Sequence, residues 1–245
     1  MTYQHFAYIY DQLMSDAPYD EWMTFAKDRI PEGSAILDVA CGTATFTLKM
    51  ASEGYKMTGV DLSEEMLSVA KQKADASEEN ITFIKQNMQK LTGFHEMDAV
   101  TVFCDGMNYL MDEDEIRSAF LSIHEVLKED GILLFDVHSS YKMESAFDHQ
   151  VYAENDDDAS YIWFASPGEY ENSVIHDLTF FIKKQDGSYD RVDESHTQRT
   201  FDSSVYASLL DECGFDIVEI SSEFGSKAPI HQTDRIFFHV KKRRK

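Results

Sequence analysis

The stretch from Ile36 to Asp61 constrains the fold of this chain more than any other. Ala35 to Val39 is a short apolar run of the kind that forms a buried strand. Ala40 to Ala44 is a loop of small residues, Phe46 to Ser52 continues as a helix, and Gly54 is placed to end it. Lys56 to Asp61 then reads as a second strand with an acid at its carboxyl end. A strand–loop–helix–strand unit of this kind belongs to an open parallel sheet, whose ligands sit at the strand ends.

The loop has a chemistry of its own. Gly42 carries no Cβ, so the backbone there can approach a ligand closely or take a positive φ. Thr43 and Ala44 open the helix, whose free N–H groups and positive dipole end would face polar groups of a ligand. Asp61 follows Asp38 at about the spacing at which a carboxylate meets ribose hydroxyls in dinucleotide folds. The dinucleotide fingerprint itself fails. Its glycines would fall at Ala40, Gly42 and Thr45, so a pyrophosphate cradle is not expected.

The run Leu37-Asp38-Val39-Ala40-Cys41-Gly42-Thr43-Ala44 resembles motif I of the class I S-adenosylmethionine (SAM)-dependent methyltransferases. In that family the loop usually carries three glycines, where this chain has Ala40, Gly42 and Ala44. Alanine at the first place implies negative φ, and alanine at the third implies ordinary helix geometry. The resemblance implies a Rossmann-like, mostly parallel seven-stranded α/β sheet, helices on both faces, the last strand antiparallel. It spans about residues 33 to 138 and 201 to 241.

Composition narrows the acceptor. The formal net charge of −23 repels phosphate backbones, which disfavours a nucleic-acid substrate. The basic end Lys241-Lys242-Arg243-Arg244-Lys245 is expected to be a disordered, solvated terminus rather than a nucleic-acid hook. Cys41, Cys104 and Cys213 are far apart and odd in number, which suggests neither a disulfide framework nor metal-ligand spacing and fits a reducing cytoplasm. The first residues lack the pattern of a signal peptide, and no apolar run approaches a membrane span.

Along the chain, residues 3 to 30 read as two helices. The first carries a stripe of Phe6, Ile9, Tyr10, Leu13 and Met14; the second lies between Pro18 and Pro31 and buries Trp22, Phe25, Ala26 and Ile30. Ser63 caps a helix running to about Ala76, Ile81 to Lys85 is a third strand, and Met97 to Cys104 a fourth. Asp112 and Glu115 form a capping box for a helix to Lys128, and Asp130-Gly131 turns the chain into a fifth strand ending before His138. Tyr161 to Phe164, Ser173 to Ile182 and Tyr189 to Phe201 read as about three antiparallel strands inserted after it. Asp156-Asp157-Asp158 lack calcium-loop spacing and read as a solvated turn. Asp202 would cap a helix that Gly214 ends, before two short-connected strands, Phe215 to Ile220 and Arg235 to Val240.

These readings divide the chain into an N-terminal helical cap (1–32), a SAM-binding core (33–140 and 201–245) and an inserted β lid (141–200). The resemblance implies roles for particular residues. Asp38, Ala40, Cys41 and Gly42 would shape the loop at the methionine end, Asp61 would take the ribose hydroxyls, and Leu62, Met66, Asn87 and Met88 would surround adenine. Cys104, Asp105 and Asn108 would lie by the methionine end and the acceptor mouth, and Tyr10 or Tyr19 would lie across the cofactor. His138 and Asp105 are candidates for proton removal, though no spacing singles one out as catalytic. The expected function is methyl transfer from SAM to a small molecule, with a non-catalytic SAM-binding protein as the alternative. No metal or membrane partner is implied, and the oligomeric state is left open.

Overall fold

A computed structural model describes residues 10–11, 14, 16–155, 157 and 159–244. The stripe residues Phe6, Ile9 and Leu13 lie outside them, as do Asp156 and Asp158 of the acidic turn. The first described helix, α1 (Tyr19–Lys27), follows Pro18 and buries Trp22, Phe25 and Ala26. Then come β1 (Ala35–Val39), α2 (Thr45–Ser52), β2 (Lys56–Asp61), α3 (Glu64–Ala76), β3 (Thr82–Lys85), β4 (Met97–Val102), α4 (Glu113–Val126) and β5 (Leu127–His138). A short helix α5 (Ser140–Ser145) leads into β6 (Gln150–Asn155), β7 (Ala159–Pro167), β8 (Ser173–Lys183) and β9 (Tyr189–Arg199). The chain closes with α6 (Ser203–Glu212), β10 (Phe215–Ser221) and β11 (Arg235–Lys242).

The main sheet has the order β10-β11-β5-β4-β1-β2-β3. β1 pairs parallel with both β2 and β4, whereas β11 runs antiparallel between β5 and β10. This is the seven-stranded arrangement expected from the sequence, and reversal of β1–β4 neighbours about β1 puts a crevice at the carboxyl ends of β1, β2, β4 and β5. One apolar cluster, centred on Leu37, Val100, Phe120, Leu133 and Phe238, fills one face, and a second, centred on Trp22, Phe25, Ile36, Met50 and Phe237, fills the other.

Local caps follow the sequence. Ser63 Oγ accepts from Met66 N–H at 3.2 Å, and Asp112 Oδ1 accepts from Glu115 N–H at 2.8 Å. Asp202 is an exception: it precedes α6 without a side-chain cap and instead accepts from Ser140 Oγ at 3.1 Å.

Two expectations are corrected. The insert is a separate sheet of four strands, β6-β7-β8-β9, not three. The missed strand, Gln-Val-Tyr-Ala-Glu-Asn, is an edge strand exposed along most of its length, so it lacks the alternation that marks a half-buried strand. The basic end, as far as Arg244, is not free. Lys241 and Lys242 belong to β11, Lys242 Nζ donates to Leu127 O at 2.7 Å, Arg243 pairs with Asp211 and Asp216, and Arg244 pairs with Asp130. Acids on α6, β10 and β5 compensate those cations, because the β10–β11 hairpin carries the end of the chain back over them.

Candidate active site

Motif I is strained in a way the alanines did not suggest. Ala40 has φ 57°, Gly42 φ 55° and Ala44 φ 65°, so all three positions are left-handed. The expectation of negative φ at Ala40 and helix geometry at Ala44 is therefore wrong. The turn from β1 into α2 demands three left-handed residues, and alanine accepts the conformation at a cost of roughly 1–2 kcal/mol each. Ala40→Gly should accordingly stabilise the fold by about 1 kcal/mol in urea unfolding. Ala44→Gly should gain less, because Ala44 is fully buried and its methyl is worth about 0.8 kcal/mol. Ala40 is also why residue 106 is glycine: a Cβ there would stand 2.9 Å from the Ala40 methyl.

Beneath the loop, Asp38 is buried at the end of β1 and accepts from Thr47 Oγ1 and, at 2.8 Å, from Thr101 Oγ1. Burial pushes its carboxyl up to about 6, with the two threonines pulling the other way. Asp38 thus braces the loop from below. Above it, Asp61 at the end of β2 accepts from Gly42 N–H at 2.8 Å through Oδ2 and from Ser63 N–H at 2.8 Å through Oδ1. Each oxygen keeps a further lone pair. Burial raises the Asp61 pKa despite those backbone donors. Cys41 lies inside the same turn, its thiol pushed well up by burial. Leu62 stands beside Asp61 with 64% of its surface exposed, an apolar side chain left open at a strand end. Met66 on α3 and Met88 after β3 are half-buried, and Asn87 is exposed with its Oδ1 already accepting from Gln89 N–H at 2.8 Å.

A second polar centre lies at the ends of β4 and β5. Cys104 and Asp105 are consecutive left-handed residues, φ 53° and 56°, a backbone strain of the kind concentrated at functional sites. Asp105 accepts from Arg235 Nη2 at 3.0 Å and from Gln198 Nε2 at 2.8 Å, and lies 3.5 Å from His138 Nε2. Arg235, at the start of β11, also pairs with the fully buried Asp136, which further accepts from Trp22 Nε1 at 3.1 Å and from Asp105 N–H at 3.2 Å. The guanidinium lies 5.2 Å from the Trp22 ring. Burial alone would raise the Asp105 pKa, but His138, Arg235 and Gln198 outweigh it and hold the carboxyl well below the usual range. At Asp136 burial wins over Arg235 and the pKa is raised.

This geometry revises two candidates. Asn108 is fully buried: its Nδ2 donates to Arg199 O at 2.9 Å and its Oδ1 accepts from His138 N–H at 3.0 Å. Hydrogen-bonded to backbone at both ends of its amide, it fastens β9 to β5. His138 is held down to about 4, chiefly by burial, so it is neutral near pH 7. Its Nδ1 is buried with no hydrogen-bond partner among the described residues, so a proton placed there would have no acceptor. His138 is therefore a poor proton acceptor, and Asp105, tied at both oxygens and kept ionised, is a weak base.

Three tyrosines surround the opening. Tyr109 is half-exposed, and desolvation, with Asp105 and Asp61, raises its pKa. Tyr10 and Tyr19 are likewise raised, first by burial and then by each other's neighbours, including Cys104 and Asp105. Asp11 accepts from Thr43 and Thr45 hydroxyls and pairs with Lys73 at 2.8 Å, latching the chain before α1 onto the start of α2. A cleft of about 370 Å³ lies beside this latch, bounded by Met14, Tyr19, Thr45 and Lys49.

Sequence reasoning missed Asp11, Gln198, Arg235 and Asp136. Asp136 alone left a signal, an acid inside the apolar run Ile132 to Val137 that had to find a cation.

A methyltransferase domain model matches residues 36–131. Two bacterial proteins that carry a methyltransferase name by provisional assignment match along nearly the whole chain. GWCH70_2453 from Geobacillus sp. (strain WCH70) is 47% identical over 99% of this chain and 100% of its own length. YqeM from Bacillus subtilis (strain 168) is 45% identical over 99% of this chain and 98% of its own. The crystal structure of a SAM-dependent methyltransferase from Clostridium acetobutylicum ATCC 824 is 28% identical, superposes with a TM-score of 0.87 and covers 99% of both chains. With the strand order, the left-handed motif I turn and Asp61 at the end of β2, these matches place the chain in the class I SAM-dependent methyltransferase family.

Proposed function

We propose that this enzyme transfers the methyl group of SAM to a small-molecule acceptor held between the strand ends and the four-stranded insert. The observation that carries the reading is Gln198, which reaches from β9 to Asp105 at 2.8 Å and so brings the insert over the methyl-transfer end of the crevice. A roofed crevice suits a small acceptor, and the formal charge of −23 opposes a polyanionic one.

The residues fit the cofactor. Asp61 keeps lone pairs for two ribose hydroxyls, Leu62 offers an exposed apolar surface to adenine with Met66 and Met88, and the left-handed turn at Ala40–Ala44 aims backbone at the methionine end. Bound SAM supplies a methyl on a sulfonium, which passes to the acceptor's lone pair as the carbon–sulfur bond breaks and neutral S-adenosylhomocysteine is left. The chain's task is alignment, worth several kcal/mol or more of the barrier. Asp61, Asp105 and Asp136 outnumber Arg235 and Lys142 at the strand ends, so the crevice favours a cationic ligand. His138 and Asp105 orient one another rather than taking the acceptor's proton. We place the reaction in the reducing cytoplasm, consistent with three free cysteines.

The test is a metabolite extract incubated with methyl-labelled SAM and the enzyme, read by mass spectrometry. A labelled product of low molecular mass together with S-adenosylhomocysteine is expected. Label appearing in RNA or protein instead would overturn the acceptor class.

A further inference from the structure

The insert and the core are joined by a hydrogen-bonded chain that crosses four elements. Trp163 on β7 donates its Nε1–H to His176 Nδ1 on β8 at 3.0 Å. His176 Nε2 meets Gln198 Oε1 on β9 at 3.3 Å. Gln198 Nε2 donates to Asp105 Oδ2 at 2.8 Å, and Arg235 Nη2 donates to Asp105 Oδ1 at 3.0 Å.

The three bonds from Trp163 to Asp105 run in one direction, with Arg235 donating to the carboxylate from the other side, and one residue fixes that direction. The indole N–H is a donor only, so the His176 nitrogen it meets must be the acceptor. The single proton of neutral His176 then sits on Nε2 and is directed at Gln198. The Gln198 side chain must turn its oxygen to His176 and its NH₂ to Asp105. Were the imidazole proton on Nδ1 instead, it would oppose the indole N–H. Nε2 would then call for the NH₂ of Gln198, turning the amide oxygen onto the Asp105 carboxylate. Carboxylate facing amide oxygen is repulsive, so the whole chain would break at its functional end.

The surroundings favour the neutral ring. Burial holds His176 down to about 4, against a weaker upward pull from Gln198 and Asp105, and His196 and Lys142 lower it further. Phe147 packs edge-on against it with centroids 4.8 Å apart, and Trp163 lies at 5.2 Å.

We propose that Trp163, His176 and Gln198 are positioning residues of the methyltransferase reaction: through a fixed imidazole tautomer they hold Asp105 in register with the SAM and acceptor crevice. This rests on reading the strand-end crevice as the site of SAM. None of the three need touch SAM. They set which lone pairs Asp105 keeps free, and they make that setting depend on the insert being docked.

The experiment combines nitrogen NMR of the histidines with calorimetric binding of SAM. In the wild-type enzyme His176 should show the Nε2–H tautomer; finding the proton on Nδ1 overturns the proposal without any variant. Trp163→Phe keeps a ring but removes the donor, so the tautomer should redistribute toward Nδ1–H and SAM affinity should fall roughly threefold to tenfold, within the range of coupling inside one hydrogen-bond network. Gln198→Met should weaken SAM similarly, and the double variant should be no weaker than Gln198→Met alone. Additive losses, or unchanged affinity in both single variants with a displaced tautomer, would show that the three residues serve only packing. Failure of the wild-type enzyme to bind SAM would sink the reading of the crevice instead, and the tautomer would still decide whether the chain is polarised as described.

Discussion

Asp61→Asn should weaken SAM binding by about 30-fold to 1000-fold while leaving the circular dichroism spectrum of the fold intact. A hydrogen bond to a charged group is worth about 1.5–3 kcal/mol, so the two ribose hydroxyls assigned to this carboxylate set a ceiling of about 3–6 kcal/mol, part of which the remaining amide oxygen retains. The isosteric change is no milder than Asp61→Ala for a specific reason. Both oxygens already accept backbone N–H groups, from Gly42 and from Ser63, each at 2.8 Å. Whichever way the asparagine amide turns, its NH₂ faces one of those donors and pushes the motif I loop or the start of α3 aside. Calorimetry returning an affinity within about threefold of wild type would remove the ribose assignment. Because burial raises the Asp61 pKa, SAM affinity in the wild-type enzyme should also begin to fall at a higher pH than for an ordinary carboxylate as acid is added.

The second large effect is on stability. Arg235→Met removes the cation shared by Asp105 and the fully buried Asp136. Breaking a buried pair from one side costs about 3–5 kcal/mol, which for a chain of this size is roughly 6–20 °C in Tm. The deficit should depend on pH with a definite sign. Asp136 already has a raised pKa from burial, and loss of the guanidinium raises it further. A carboxyl whose folded pKa exceeds its unfolded value binds more protons in the folded state, so stability falls as pH rises through that window and returns as pH falls. The variant should therefore be most impaired near about pH 8 and least near about pH 5, and Asp136→Asn added to it should recover part of the loss. A flat difference in urea unfolding across that range would show that Asp136 is not the charge left stranded.

Much of the architecture was legible because it is written in periodicity. The apolar runs at Ile36, Val100 and Leu133, the Ser63 and Asp112 caps and the glycine after α6 each report a local constraint, and local constraints survive in a sequence. Asp61 was legible for the same reason: it ends a strand at a spacing that topology fixes. Ala40 and Ala44 misled because a side chain does not reveal the φ its neighbours impose. The burial of Asn108 was not legible, because β9, some ninety residues on, closes over it. Gln198 and Arg235 could not be found, since each meets Asp105 across sequence distances of 93 and 130 residues that no local pattern encodes.

The root of the insert carries a consequence for how the pocket chooses its guest. Asn108 clips β9 to β5, Arg199 Nη1 donates to Met111 O at 2.7 Å, and Thr200 donates its hydroxyl proton to His138 O. These three anchors tie the root of the insert to the core at a single point, the end of β9, while Gln198 bonded to Asp105 holds the insert one residue further in. Under the proposed function, acceptor choice would then be set at the root of the insert as much as in the walls of the crevice, and loosening Arg199 or Thr200 would broaden it.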